Sequence, residues 1–120
     1  MSEGFRDYVG MQVEPVGDGR ARVRLKVDDQ HLNPHGSVHG GVLATLADVV
    51  AAEAVAAGQD TGPGVTIELK VTYLNPGKRG EIVGEARVIK RGKRITIVET
   101  ELSQEDDLVA HAIGTFTSGS

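Results

Sequence analysis

Cysteine is absent from these 120 residues, which removes a disulfide framework, a thiolate metal centre and a catalytic thiol together and leaves the redox compartment open. Aromatic residues make up only 3% of the chain, too few for a surface that stacks nucleic-acid bases. Positive charge is not in excess either. The formal balance of −4 argues against a general nucleic-acid binder, although 13 basic residues suffice for a local patch facing a phosphorylated ligand. No apolar run approaches the roughly 18 residues of a membrane span, because Thr45, Asp48 and Glu53 interrupt the longest candidate. Met1 to Gly10 carries Glu3, Arg6 and Asp7, unlike a secretory or transit leader, so a cytoplasmic location is expected. The 16 glycines follow no collagen-like period, and neither a repeat nor a low-complexity linker is visible. Residues 1–120 therefore read as one domain, long enough to bury roughly two thirds of its unfolded surface.

What is present is a change of period along the chain. Phe5 to Val9 reads as a short helical turn, and Met11 to Val16 as a first strand closed by Gly17-Asp18-Gly19. Ala21, Val23, Leu25 and Val27 then alternate with Arg20, Arg22, Arg24 and Lys26, the period of a half-buried strand whose arginines form its solvent face. From Asp28 to Gly41 the period vanishes, and Asn33-Pro34 with Gly36 predicts an irregular loop. Val42 to Ala57, alanine-rich and apolar nearly all round, predicts a buried helix ended by Gly58. Four further strands are expected over Gly64 to Asn75, Glu81 to Lys90, Arg94 to Gln104 and Leu108 to Thr117. In the first of these, Val65, Ile67, Leu69, Val71 and Tyr73 are expected on one face. The pattern is α+β: a curved sheet of about six strands folded over one long buried helix.

Asp48 stands out within that helix, because an unpaired charge in an apolar setting costs several kcal/mol. Its neighbours Leu46, Ala47, Val49, Val50, Ala51 and Ala52 supply no cation. A structural or solvent-facing role and a functional one are both compatible with that position. Glu53 lies about 140° further round a helix, so the two do not pair, and Glu53 reads as a solvated or interface residue. Upstream, His39-Gly40-Gly41 sits where loop becomes helix. Free N–H groups there, with the helix dipole behind them, suit a developing negative charge, the outline of an oxyanion hole. Glycines chosen for a tight turn or close packing would look the same.

The segment from His31 to Asp48, HLNPHGSVHGGVLATLAD, resembles the signature of the hotdog-fold thioesterases, in the branch of PaaI and thioesterase superfamily member 2. The resemblance continues through Gly64 to Pro76, GVTIELKVTYLNP, and the Lys90-Arg-Gly-Lys-Arg94 turn, and so covers nearly the whole chain. It implies a hotdog fold and hydrolysis of an acyl-CoA thioester, without a cofactor. Carried onto these positions, it implies Asp48 as nucleophile or general base and Gly40 as backbone oxyanion donor. His39 and Asn33 would orient substrate or water. Thr66 falls where relatives have a serine that helps place the attacking water; the threonine keeps the hydroxyl and adds a methyl. The basic turn of Lys90, Arg91, Gly92, Lys93 and Arg94 is a docking place for the phosphates of CoA, with a solvated hairpin as the alternative.

Gly40 and Asp48 lie eight residues apart, about 12 Å along one helix, whereas both must reach the same carbonyl. A two-fold dimer with antiparallel helices brings Asp48 of one chain to Gly40 of the other. The family dimerises through the strand after the helix, here Gly64 to Asn75, and a dimer of dimers is usual in it. The acyl pocket is expected near Leu43, Leu46, Val49 and Val50 or Tyr73 of the second chain, with aryl-acetyl and aliphatic acyl groups both open. His31, His35 and His39 recur every four residues, but Pro34 and Gly36 oppose a helix and no His-Glu-x-x-His occurs, so no metal is expected. His111 reads as an ordinary sheet histidine. The competing function is a non-catalytic acyl-CoA binding or sensing module, which would fit a helix lacking the carboxylate that this one carries. A hotdog dehydratase would need an aspartate-histidine arrangement not evident here.

Overall fold

The predicted alternation of apolar and basic residues after Gly19 becomes a strand, Arg20–Val27, in which Ala21, Val23, Leu25 and Val27 are buried. This strand is β2 of a computed structural model that describes residues 4–59, 62 and 64–118. In chain order the elements are α1 (Phe5–Val9), β1 (Gln12–Gly17), β2, a 3₁₀ turn (Asp29–His31), α2 (Gly40–Ala56), β3 (Thr66–Tyr73), β4 (Gly80–Arg91), β5 (Ile95–Gln104) and β6 (Asp107–Thr117). Among the described residues the six strands form one antiparallel sheet in the order β1-β2-β4-β5-β6-β3. β3, which follows α2 in sequence, is thus an edge strand paired to β6 alone.

The helix buries itself because its composition leaves it no polar face. Leu43, Leu46, Ala47, Val50, Ala51, Ala54 and Val55 are all buried. All but Ala47 share one cluster with Val23 and Leu25 of β2, Ile82 of β4, Val98 and Leu102 of β5, and Val109 and Phe116 of β6. Each large side chain removed from water in this way contributes about 1.5–3 kcal/mol, so the wrapping of sheet around helix follows from burial alone. No helix among the described residues is long and apolar enough to cross a membrane.

Three expectations are corrected. The helix starts at Gly40, not Val42, so both glycines lie in its first turn. The stretch expected to be irregular contains a 3₁₀ turn in which the Asp28 carboxylate accepts from Asp29 N–H and His31 Nδ1 accepts from Asp28 N–H at 2.8 Å. Buried His31 also hydrogen-bonds the Val9 carbonyl through Nε2 at 2.7 Å, so one ring nitrogen shapes the turn and the other fastens α1 to it. Third, the uninterrupted alternation expected from Val65 to Tyr73 fails at a β-bulge. Thr66 pairs with Phe116, but Glu68 pairs with Thr115, leaving Ile67 as one extra residue. Beyond the bulge Leu69, Val71 and Tyr73 oppose the buried Gly114, Ala112 and Ala110. The extra residue puts Thr66, opposite the buried Phe116, on the same face as those three, where strict alternation would have placed it on the other.

The C-terminal end of α2 is capped from a distance. Gly19 N–H donates to the Ala57 carbonyl at 2.8 Å, and the Arg91 guanidinium donates to Val55 O at 2.8 Å and Gln59 Oε1 at 2.6 Å. These bonds satisfy carbonyls that have no partner within the helix. Gly58 follows with φ 86°, and a Cβ there would meet Asp18 Oδ1 at 2.6 Å, which accounts for a glycine where the helix stops.

Candidate active site

Asp48 lies halfway along α2, half-buried, on the flank that meets β3. Its partner is a hydroxyl: Thr66 Oγ1 donates to Asp48 Oδ1 at 2.7 Å. The bulge in β3 makes this contact possible by turning Thr66 toward the helix. Among the described residues no cation pairs with this carboxylate, and its second oxygen accepts no hydrogen bond. Glu53, one turn on, is engaged elsewhere, 3.5 Å from the Arg6 guanidinium of α1.

The start of α2 is built from the loop before it. Asn33 Oδ1 accepts from His35 N–H at 2.9 Å and Ser37 N–H at 3.1 Å, while Asn33 N–H donates to Ser37 O at 2.7 Å. The side-chain carbonyl therefore folds the loop, and the amide NH₂ is the group left to face a ligand. His39 is the N-cap, and its Nδ1 accepts from Gly41 N–H at 2.9 Å. A neutral His39 accordingly carries its proton on Nε2, pointing away from the helix. Gly40 is the first helical residue, and its N–H has no acceptor among the described residues. That N–H, at the positive end of a 17-residue helix, is a preformed donor for an oxygen bearing negative charge.

The structure brings Asp48 and Thr66 into contact and gathers Asn33, His39 and Gly40 at the helix start, but within one chain the two groups sit eight residues apart on α2. At 1.5 Å rise per residue that is about 12 Å. Sequence reasoning named Tyr73 only as a pocket residue and missed its hydroxyl, which donates to the Gly40 carbonyl at 2.9 Å. No local signal reveals this bond, because the two residues are 33 positions apart. An open groove of about 360 Å³ lies alongside, lined by Val38, Gly40, Leu43, Tyr73, Leu74 and Pro76. Of the residues of α2 expected to line an acyl pocket, Leu43 borders this groove, together with Tyr73 of the same chain rather than of a second one, whereas Leu46 and Val50 are fully buried in the core.

The basic turn divides in two. All four basic residues are exposed, but Arg91 donates to the carbonyls at the end of α2, which Lys90, Lys93 and Arg94 do not. Gly92 has no room for a side chain, since a Cβ would lie 2.5 Å from Ile95 O. On the outer face of the sheet His111 Nε2 hydrogen-bonds Glu99 at 2.9 Å, which with the Arg87 guanidinium at 2.5 Å holds the Glu99 carboxyl below its ordinary pKa. His111 is thus part of a surface network away from α2.

The thioesterase superfamily model matches residues 35–111, spanning the helix start, Asp48, β3 to β5 and the beginning of β6. The chain belongs to the thioesterase superfamily. Its architecture is the hotdog fold of that family. Human acyl-coenzyme A thioesterase 13 is 35% identical over 88 residues, which are 72% of this chain and 63% of that protein. The chain thus spans less than two thirds of that relative's length. Among solved structures, zebrafish thioesterase superfamily member 2 superimposes with a TM-score of 0.88 at 32% identity, covering 98% of this chain and 88% of that one. A phenylacetic acid degradation-related protein from Ralstonia eutropha gives the same TM-score of 0.88 and 32% identity, with coverage of 98% and 91%. This thioesterase-superfamily chain is therefore similar over nearly its full length to proteins of the branch expected from its motifs.

Proposed function

We propose that this chain hydrolyses acyl-CoA thioesters, with Asp48 of one protomer and the Gly40 N–H of a second acting on the same carbonyl. The observation that carries the proposal is the half-buried Asp48 carboxylate held by the Thr66 hydroxyl at 2.7 Å on a helix whose first N–H is free. In the direct route, an Asp48 oxygen attacks the thioester carbon and expels CoA thiolate, which takes up a proton. Water then hydrolyses the resulting anhydride to the free acid and restores Asp48. In the general-base route, Asp48 removes a proton from water as the water oxygen attacks the same carbon, and the tetrahedral intermediate then expels CoA thiolate, which takes up the proton held by Asp48. Either way the carbonyl oxygen gains negative charge, and the Gly40 N–H is oriented to receive it. Thr66 keeps the carboxylate in place, and His39 Nε2–H and the Asn33 amide orient substrate or water. Lys90, Lys93 and Arg94 attract the phosphates of CoA.

The same reading makes residues 1–120 one hotdog domain working in the cytoplasm, dimeric through β3 and in a further dimer of dimers. Release of free CoA from phenylacetyl, benzoyl and aliphatic acyl-CoA substrates tests the activity, with folded Asp48→Ala as control. The expected result is hydrolysis of at least one class and a loss of about 10²–10⁴-fold in the variant. Tight acyl-CoA binding without hydrolysis by the wild type would overturn the enzyme reading and leave a binding module.

A further inference from the structure

The peptide group joining Gly40 to Gly41 is held at both of its polar atoms. Its carbonyl accepts from the Tyr73 hydroxyl at 2.9 Å, and its N–H donates to His39 Nδ1 at 2.9 Å. Consecutive glycines at a helix start are the least constrained backbone a chain can offer, in the turn most prone to fray. Two bonds steady this turn from within the segment: Val42 N–H donates to the His39 carbonyl at 2.9 Å, and the Thr45 hydroxyl to the Gly41 carbonyl at 2.8 Å. The Tyr73 bond is different in kind, because it comes from β3 and ties the helix start to the sheet edge.

Its position also gives it a second effect. A hydrogen bond received at a carbonyl polarises the peptide and strengthens donation by the N–H of the same unit. Here that N–H fixes the imidazole of His39. The phenol ring lies close over Gly40, its Cζ 3.4 Å from where a Cβ on that residue would be, so ring and hydroxyl together confine the peptide plane. Tyr73 is 53% exposed, so burial is not what demands a tyrosine there.

We infer that Tyr73 is a positioning residue for this site: its hydroxyl fixes the Gly40–Gly41 peptide and, through the Gly41 N–H, the orientation and tautomer of His39, so that the adjoining His39–Gly40 peptide, which bears the Gly40 N–H, is steadied from the Gly40 side. The kinetic side of this inference rests on the thioesterase reading above, whereas the structural side does not.

Tyr73→Phe removes the hydroxyl and keeps the ring, so the groove wall and the fold persist. Two measurements on it decide the matter: steady-state hydrolysis of the best acyl-CoA substrate, and proton-nitrogen NMR spectra that read the Gly41 amide and the ring nitrogens of His39. The expected result is an unchanged melting temperature, a kcat lowered about three- to tenfold at nearly constant KM, a shifted Gly41 amide resonance and a mixed His39 tautomer. A variant with wild-type kcat and unmoved Gly41 and His39 resonances would overturn the inference, as would a change confined to KM, which would make Tyr73 a groove wall only. If the wild type hydrolyses no thioester, the functional reading falls by itself, and the clamp stands or falls on the two resonances.

Discussion

Asp48 and Thr66 show how a single inserted residue decides the chemistry available at a site. The hydroxyl reaches the carboxylate at 2.7 Å because β3 carries one residue more than β6 between Thr66 and Glu68. Thr66→Val keeps the shape and the methyl but removes the donor, so the carboxylate loses its one fixed partner among the described residues. About a tenfold fall in kcat is expected, the cost of a hydrogen bond to a charged group. Thr66→Ser should keep most of the activity, and comparison of the two by steady-state kinetics separates the hydroxyl's effect from packing. Activity kept in Thr66→Val and lost in Thr66→Ser would mean that the methyl packing matters and the hydrogen bond does not. Asp48 itself was legible in the sequence, since a lone acid among alanines and valines contradicts its surroundings. The face of Thr66 was not, because a bulge leaves composition and spacing unchanged and shows itself only in the register against a partner strand.

At the scale of elements, the helix and β2 could be read directly because each repeats its own period long enough to be unambiguous: alanine-rich and apolar over α2, strictly alternating over β2. The ends were harder. Gly40 and Gly41 look like loop by propensity, yet the His39 side chain caps them into the first turn. Arg91 looked like part of a basic docking turn, and the fold turns it instead onto the C-terminal carbonyls of α2, at residues 34 and 36 positions away in sequence. Such a role is set by strand order and cannot be inferred from neighbours. It leads to a division of labour that can be measured. Arg91→Ala should lower stability by about 1–3 kcal/mol in urea unfolding, since carbonyls at the helix end lose a charged donor. It should leave the salt dependence of KM unchanged. Lys93→Ala and Arg94→Ala should do the reverse, raising KM at low salt with little effect on stability. A rise in KM for Arg91→Ala at unaltered stability would return that residue to the docking surface.

At the scale of the molecule, β1 and β3 are the two strands paired on one side only among the described residues, and β3 is the more apolar edge. Val65 just before it and Ile67 and Tyr73 within it are 68%, 57% and 53% exposed, a surface that a sheet edge rarely leaves bare. The separation of Gly40 from Asp48 along α2 makes the same demand from the side of chemistry, because neither group alone can both attack and stabilise. Both are met if two copies join through β3 and exchange halves of their sites. The backbone supplies an unusually clean test. Gly40 is the first helical residue, a position that tolerates proline, and His39 before it has φ −58° and ψ 134°, the extended conformation that a following proline requires. Gly40→Pro should therefore fold while lacking the N–H donor, and should be inactive, as Asp48→Ala should be. Mixed in equal amounts and allowed to exchange subunits, the two dead proteins should recover about a quarter of wild-type activity per chain. Half of the dimers become mixed, and each mixed dimer holds one intact site, with Asp48 from one variant and Gly40 from the other. Recovery should follow the rate of exchange and stop when exchange is blocked by crosslinking beforehand. If exchange is verified by mass spectrometry and activity stays at zero, both groups must act within one chain, and the helix start would have to serve some other part of the substrate than the carbonyl.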